Sequence, residues 1–253
     1  MLPFLLIGSR PEDLAADEEY QAYLAFCGLE PEHLIHLRLE AEPSRTVDLE
    51  SLDLRELSGI IVGGSPFTST DPQAAKPAVQ VRVERELASL LDRLVPLDFP
   101  FFGACYGVGT LGTHQGAIID RTFGEELGAV AISLTPAGLE DPVLAGLSPE
   151  FLAFTGHKEA CSHLPSHAVL LAGSPSCPVQ MFRIGANMYA TQFHPELDVA
   201  GLETRIEIYQ HAGYFPAGSA AEVTERVRLA SVTEPMAILR NFAMRYARTA
   251  WPT

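Results

Sequence analysis

Three short runs, PFLLIG (3–8), SGIIVGG (58–64) and FPFFGAC (99–105), are almost wholly apolar and end on glycine or a small residue. A strand with one face in water alternates apolar and polar side chains, so a run without alternation must be covered on both sides. HLIHLRL (33–39) supplies a fourth candidate strand. The cover lies in the intervening segments. PEDLAADEEYQAYLAFCG (11–28) opens acidic, sets Tyr20, Tyr23, Leu24 and Cys27 on one side, and reaches a stop at Gly28. AVQVRVERELASLLDRL (78–94) puts Val79, Val83, Leu87, Leu90, Leu91 and Leu94 at helical spacing. Strands that need burial on both faces, separated by helices, specify a doubly wound, mainly parallel α/β sheet with helices on both faces.

The later half changes character. AVAISLT (129–135), FLAFTG (151–156), AVLLAG (168–173), PVQMFRI (178–184) and NMYATQF (187–193) read as strands with short connections, some antiparallel, including a hairpin at Gly185 and Ala186. From residue 201 the pattern is helical: GLETRIEIYQHAG, then a segment opened by a Ser219-x-x-Glu222 capping box, then TEPMAILRNFAMRYA with Ile238, Leu239, Phe242 and Tyr246 on one stripe. The expected organisation is a domain over 1–200 with a helical C-terminal extension over 201–253 packed on it. The Ile238–Tyr246 stripe fits docking onto the chain's own core better than a dimer face.

Charge and cysteine usage exclude several classes. The 253 residues carry 32 acidic and 17 basic side chains, a formal net charge of −15, which opposes a phosphate-binding surface and so nucleic acid. MLPFLLIGSR has no basic residue ahead of its apolar run, so it fits a buried strand rather than a signal peptide. No apolar stretch approaches the roughly 20 residues that span a bilayer. Cys27, Cys105, Cys161 and Cys177 are dispersed, which suits a reduced, cytoplasmic protein. HKEACSHLPSH offers His157, Cys161, His163 and His167 as soft ligands, but paired C-x-x-C spacing is missing and no metal is expected. GGSPFTSTDP (63–72) lacks the P-loop lysine and the third glycine of a dinucleotide fingerprint, so no nucleotide and no cofactor is assigned. His33 and His36 read as packing or edge residues, Cys27 as core and Cys177 as a loop thiol.

The chemistry concentrates in three places. Gly103-Ala104-Cys105-Tyr106-Gly107 is the cysteine form of the G-x-S-x-G elbow, in which small neighbours permit a strained strand-to-helix turn that presents the nucleophile. A thiol at a helix N-terminus also has its anionic form favoured by the helix dipole. A small buried cysteine at a tight joint would carry the same pattern. In YATQFHPELD (189–198), His194 and Glu196 fall on one side if the chain stays extended across Pro195, so Glu196 could orient His194 as the base for Cys105. The glycines ending IIVGG free backbone N–H groups to face a ligand, and the N–H of Gly64 with that of Tyr106 could form an oxyanion hole. An ordinary Gly-rich turn is the alternative there.

Taken together, IIVGGSP, FFGACYG and QFHPE, in this order, resemble the triad-type (class I) glutamine amidotransferases, most closely the glutaminase domain of GMP synthase and its free-standing relatives. The resemblance spans about residues 1–200. It implies a flavodoxin-like sheet, Cys105 as nucleophile, His194 as general base, Glu196 as its orienter, and Gly64 and Tyr106 as oxyanion donors. Gly63, Gly107, Gly109 and His157 fall on its substrate-side segments. The implied reaction is hydrolysis of the glutamine side-chain amide through a γ-glutamyl thioester, with ammonia passed to a separate synthetase subunit, because no synthetase domain follows residue 253. Gly109 stands where the family commonly has a glutamine that helps hold substrate. That departure leads us to expect free glutamine to be a poor substrate without a partner, and it keeps a γ-glutamyl peptide hydrolase with the same triad as the second enzymatic reading. An inactive regulatory subunit is the alternative outside enzymes.

Overall fold

In the computed structural model, which describes residues 1–41 and 48–250, the first apolar run forms β1 (Phe4–Gly8) with all five residues buried. Its period of two splits the core: Phe4 and Leu6 pack with Tyr23 and Leu24, whereas Leu5 and Ile7 pack with Leu37, Val83 and Leu87. α1 (Asp13–Cys27) ends at Gly28, whose φ of 67° is the left-handed cap that a side chain would strain. β2 (Leu34–Arg38), β3 (Gly59–Val62), α2 (Ala78–Leu94) and β4 (Phe101–Ala104) follow. α2 buries Val83, Leu87, Leu90, Leu91 and Leu94 and exposes Arg85 and Asp92.

α3 (Tyr106–His114) leads to β5 (Ile118–Asp120), β6 (Glu125–Leu134), the short α4 (Pro136–Glu140), β7 (Glu150–His157), β8 (Ala160–His163), β9 (Ala168–Gly173), β10 (Met181–Ile184) and β11 (Met188–Thr191). The main sheet has nine strands in the order β2-β1-β3-β4-β11-β10-β9-β6-β7. β1 to β4 and β11 pair in parallel. Every later pairing is antiparallel. Because antiparallel steps alternate direction, β9 and β7 again run with β4, and only β10 and β6 oppose it. The sheet is therefore mainly parallel, as the sequence implies.

The C-terminal helices are α5 (Val199–Tyr209), α6 (Ala220–Arg228) and α7 (Met236–Tyr246). α7 lies beside α1 on one face of the sheet, where the Phe242 ring sits 5.4 Å from Phe102 and 6.1 Å from Phe4. α5 and α6 pack together, with Leu202, Ile206, Val223 and Val227 against Leu127 and Phe154. Residues 251–253, the end of the expected extension, lie outside the described residues.

One expectation is corrected here. Ser219 does not cap α6 with its side chain: its hydroxyl donates to the Pro216 carbonyl, so the capping-box spacing is present without its bond. β5 and β8, segments without a strand reading in the sequence, form a separate two-stranded sheet. At three and four residues they are too short for a periodic signal to register. Among the described residues no helix is long and apolar enough to cross a membrane.

Candidate active site

The strand directions gather distant residues on one rim. Gly8, Val62, Ala104, Thr191 and His157 end five strands that run the same way, and Glu125 begins the opposed β6, paired in register with His157. Ligands of open α/β sheets bind at this carboxyl-end rim. Cys105 follows β4, His194 and Glu196 follow β11, and Gly63 and Gly64 follow β3.

At Cys105 the chain turns from β4 into α3 with φ 51° and ψ −86°, one of two non-glycine residues among those described with positive φ. A conformation of this kind costs on the order of 1–3 kcal/mol and persists only where the surroundings hold it. Here the Cys105 N–H donates to the Thr191 carbonyl at 2.7 Å and its own carbonyl accepts from Val108 N at 2.9 Å. The turn also requires strand and helix to touch: a methyl on Gly103 would stand 2.7 Å from Gly107 Cα. Gly103→Ala is accordingly expected to destabilise the protein by roughly 2–3 kcal/mol through overpacking against backbone that cannot rotate away. A denaturant melt with unchanged m value would measure this.

His194 and Glu196 meet, though not as an extended pair. The Leu197 N–H donates to the His194 carbonyl at 3.3 Å, closing a turn with Pro195 at its second position. Within that turn His194 Nδ1 lies 2.6 Å from Glu196 Oε1, with both side chains buried. Burial alone would lower the His194 pKa, but the charges of Glu196 and Cys105, and hydrogen bonds to both, outweigh it and raise the value from 6.5 to about 10. Glu196 moves the other way: burial pushes it up, but the His194 charge and hydrogen bond more than reverse this, leaving it below 4.5. The ring is thus held by a carboxylate on Nδ1 and lines the same cavity as Cys105, whose charge acts on it. The N–H groups of Gly64 and Tyr106 meet no acceptor among the described residues, the condition an oxyanion hole requires.

Glycine at 63 and 64 also has a steric reason. A methyl on Gly63 would stand 2.6 Å from Glu19 Oε2, and one on Gly64 would stand 2.6 Å from Arg10 Nη2 and 3.0 Å from His194 Cε1. A buried ion pair, Arg10 Nε to Glu19 Oε1 at 2.9 Å, occupies that space. Arg205 joins it, with Nη2 3.6 Å from the same Glu19 oxygen, and Arg10 Nη1 donates to the Tyr209 hydroxyl at 3.3 Å. All three charged side chains are almost wholly buried.

Cys105 lies between two small cavities. The first, about 40 Å³, is walled by His194, Arg10, Arg205, Thr155 and Tyr209 among others; the second, about 20 Å³, by Gly109, His157, Glu159 and Tyr106 among others. Gly109 is bare because Ser69 and Glu159 fill its space: a methyl there would lie 2.9 Å from Ser69 Oγ, and Glu159 accepts from Ser69 N and Oγ and from Thr70 N. His157 Nε2 contacts Glu125 Oε2 at 2.8 Å and its Nδ1 the Glu159 carbonyl at 3.0 Å. Gly107 packs on Gly103.

The four soft ligands noted in the sequence are not gathered. Cys161 is sealed in the core, and His163 and His167 bond Ser162 and Gln115. Among the described residues Glu125, His157 and Cys177 form one group of three close donors. Each is engaged otherwise: Glu125 accepts from Gln180 and Ser176 as well as contacting His157, and Cys177 donates to the Val179 carbonyl. Cys177 lies in a loop, as expected, and is buried there.

Arg10, Glu19 and Arg205 were missed by motif reasoning. Their signal was a charge on an apolar stripe: Glu19 between Ala15, Ala16 and Tyr23, and Arg205 between Leu202, Ile206 and Tyr209.

A family model of class-I glutamine amidotransferases matches residues 32–206. One subunit of a glutamine-hydrolysing GMP synthase from Thermoplasma volcanium is 31% identical over 153 residues, 60% of this chain and 68% of that protein. The glutamine-hydrolysing GMP synthase of Porphyromonas gingivalis is 30% identical over 146 residues, which span 57% of this chain but 26% of that longer protein. The crystal structure of a glutamine amidotransferase from Thermotoga maritima shares the fold, with a TM-score of 0.71 at 18% identity, covering 97% of this chain and 98% of that one. With more than half of its length matched by the family model, the chain belongs to the class-I glutamine amidotransferases.

Proposed function

We propose that this protein hydrolyses the side-chain amide of glutamine through a Cys105–His194–Glu196 relay. The observation that carries this reading is the His194 ring, held by Glu196 at 2.6 Å and lining one cavity with Cys105, which stands at the head of a strained elbow. The Cys105 sulfur, as thiolate, attacks the γ-carbonyl carbon; Gly64 and Tyr106 N–H groups receive the developing oxyanion; His194 gives its proton to the departing nitrogen. Water then hydrolyses the γ-glutamyl thioester, returning a proton to His194 and releasing glutamate. Residues 1–200 carry this chemistry, with the helices beyond packed on them. The ammonia passes to a separate acceptor protein, a reading supported by the name of the Thermoplasma relative, which is one subunit of a GMP synthase.

Glutamate release from glutamine by the purified protein, with and without a candidate acceptor, tests the reaction. Labelling by a glutamine-mimicking electrophile should map to Cys105. The pH dependence follows from the shifted groups. A His194 pKa raised from 6.5 to about 10 keeps the proton-donating form through neutrality, so turnover is expected to hold across pH 7–9 and fall as pH passes about 10. The same shift stabilises the fold fully below 6.5 and loses that contribution as pH rises through the folded value. Glu196, depressed below 4.5, stabilises above 4.5 and ceases to do so as pH falls through its folded value. A rate profile that collapses between pH 7 and 8 would contradict the His194 assignment.

A further inference from the structure

We infer that Tyr214, supplied by the helical C-terminal extension, limits the leaving group to ammonia: its ring divides the site at Cys105 and leaves no room on the His194 side for a substituted amine. The inference rests on the proposed glutamine hydrolysis and adds the residue that fixes which amine departs.

Tyr214 lies between α5 and α6, past residue 206, where the family match ends. Its place is fixed from several directions. The Leu127 N–H on β6 donates to the Tyr214 carbonyl at 3.1 Å. The ring meets Tyr209 edge-on with centroids 6.2 Å apart, and the Lys158 ammonium, between β7 and β8, sits 4.7 Å from its centroid. Gly213 turns the chain just before it with φ 79°, a conformation that a Cβ would strain. Phe215, just after it, is buried in a cluster with Leu127, Phe154 and Val223. The half-buried ring is thereby held over the carboxyl-end rim of the sheet.

Ser65, Gly156, Tyr214 and Cys105 itself stand in the walls of both cavities. Ser65, Gly156 and Cys105 are small, so the Tyr214 ring is the bulk that separates the two spaces. Burial, and after it the Cys105 charge, raise the Tyr214 pKa from 10 to about 12, which keeps the phenol neutral near the sulfur. The departing nitrogen must take its proton from His194, and His194 walls the first cavity but not the second. That first space, about 40 Å³, holds roughly three waters, so ammonia fits and an amine bearing an aromatic ring does not. Leu127, Leu197 and Leu202 form another part of its wall, and all three are buried in the packed cluster with α5 and α6, which does not yield. Removing the Tyr214 ring joins the two cavities and makes the missing room. The chemical step keeps its balance: the sulfur bonds to the γ-carbonyl carbon, the C–N bond breaks, and the His194 proton completes the ammonia.

The test compares glutamine with γ-glutamyl-benzylamide, which differ only in the benzyl group on the departing nitrogen, with glutamate release as the common readout. In the wild type kcat/KM should favour glutamine by roughly a hundredfold, and Tyr214→Ala should narrow that ratio about tenfold or more by gaining on the benzylamide. Tyr214→Phe, which keeps the ring, should keep the selectivity. Equal use of both amides by the wild type, or a ratio unmoved in a Tyr214→Ala protein that melts as a folded one, overturns the proposal. If Tyr214→Ala does not fold, Lys158→Ala releases the ring without deleting it and should narrow the ratio in the same direction; an unmoved ratio there overturns it equally. A second measurement needs no turnover: iodoacetamide should alkylate Cys105 several-fold faster than N-benzyl-iodoacetamide in the wild type, and the gap should close in Tyr214→Ala. A gap that closes without hydrolysis of either amide removes the catalytic reading and leaves the gate. Glutamine hydrolysis with both the ratio and the gap unmoved removes the gate and leaves the catalytic reading.

Discussion

Cys105→Ala is expected to lower glutamate release on the order of 10⁴-fold or more, because removing the nucleophile of a relay disables the other members as well. The fold should survive. The half-buried thiol faces two cavities, and the backbone around it is held by the Thr191 and Val108 hydrogen bonds, not by the side chain. Cys105→Gly separates chemistry from strain further: glycine accepts φ 51° without a Cβ penalty, so that variant should be equally inactive yet melt no lower than Cys105→Ala. The measurement is glutamate release alongside thermal melting of the same preparations. Full activity in Cys105→Ala would move the chemistry to another group.

Glu19→Gln carries the largest expected effect on stability. One carboxylate serves two buried guanidinium groups, Arg10 at 2.9 Å and Arg205 at 3.6 Å, and also fills the space that glycine leaves at residue 63. Neutralising it puts two like charges in the interior with Glu196 as the remaining anion nearby. Burial and the Arg10 charge already lower the Arg205 pKa, while Glu19 raises it. Breaking such a pair by removing one partner costs about 3–5 kcal/mol, which for a chain of this length lowers the melting temperature by roughly 6–20 °C. The double variant Glu19→Gln/Arg205→Met should lose less than the sum of its parts, since the second change removes a charge the first left unbalanced. Additive losses, or a melting temperature within a degree of the wild type, would show that the cluster is solvated and not a buried network.

What the sequence disclosed about this molecule follows a physical divide. β1, β3 and β4 are legible because burial on both faces leaves no polar position, and α2 because 17 residues give its stripe several repeats. Cys105, His194 and Glu196 are legible because local geometry holds them: an elbow between glycines, and a proline between histidine and glutamate. The shape of that second segment was misjudged, since Pro195 serves a closed turn as readily as an extended chain. β5 and β8 and the failed Ser219 cap depend on pairings and bonds that a few residues cannot announce. The Arg10–Glu19–Arg205 cluster depends on three elements meeting in space, and a charge on an apolar stripe looks like noise until its partners are known.

The place of β11 in the sheet has a consequence for how the protein comes into being. Residues 188–191 slot between β4 and β10, so the half built by β1 to β4 has a bare, fully apolar border until more than 180 residues have left the ribosome. Through that interval the Cys105 sulfur sits beside an unpaired edge, without the His194 imidazole, and an unpaired edge invites pairing with neighbouring chains. Late arrival of a single four-residue strand covers that edge and brings His194 and Glu196 to the rim beside Cys105 in the same event, so nascent chains cut short before it keep the edge open and lack both side chains.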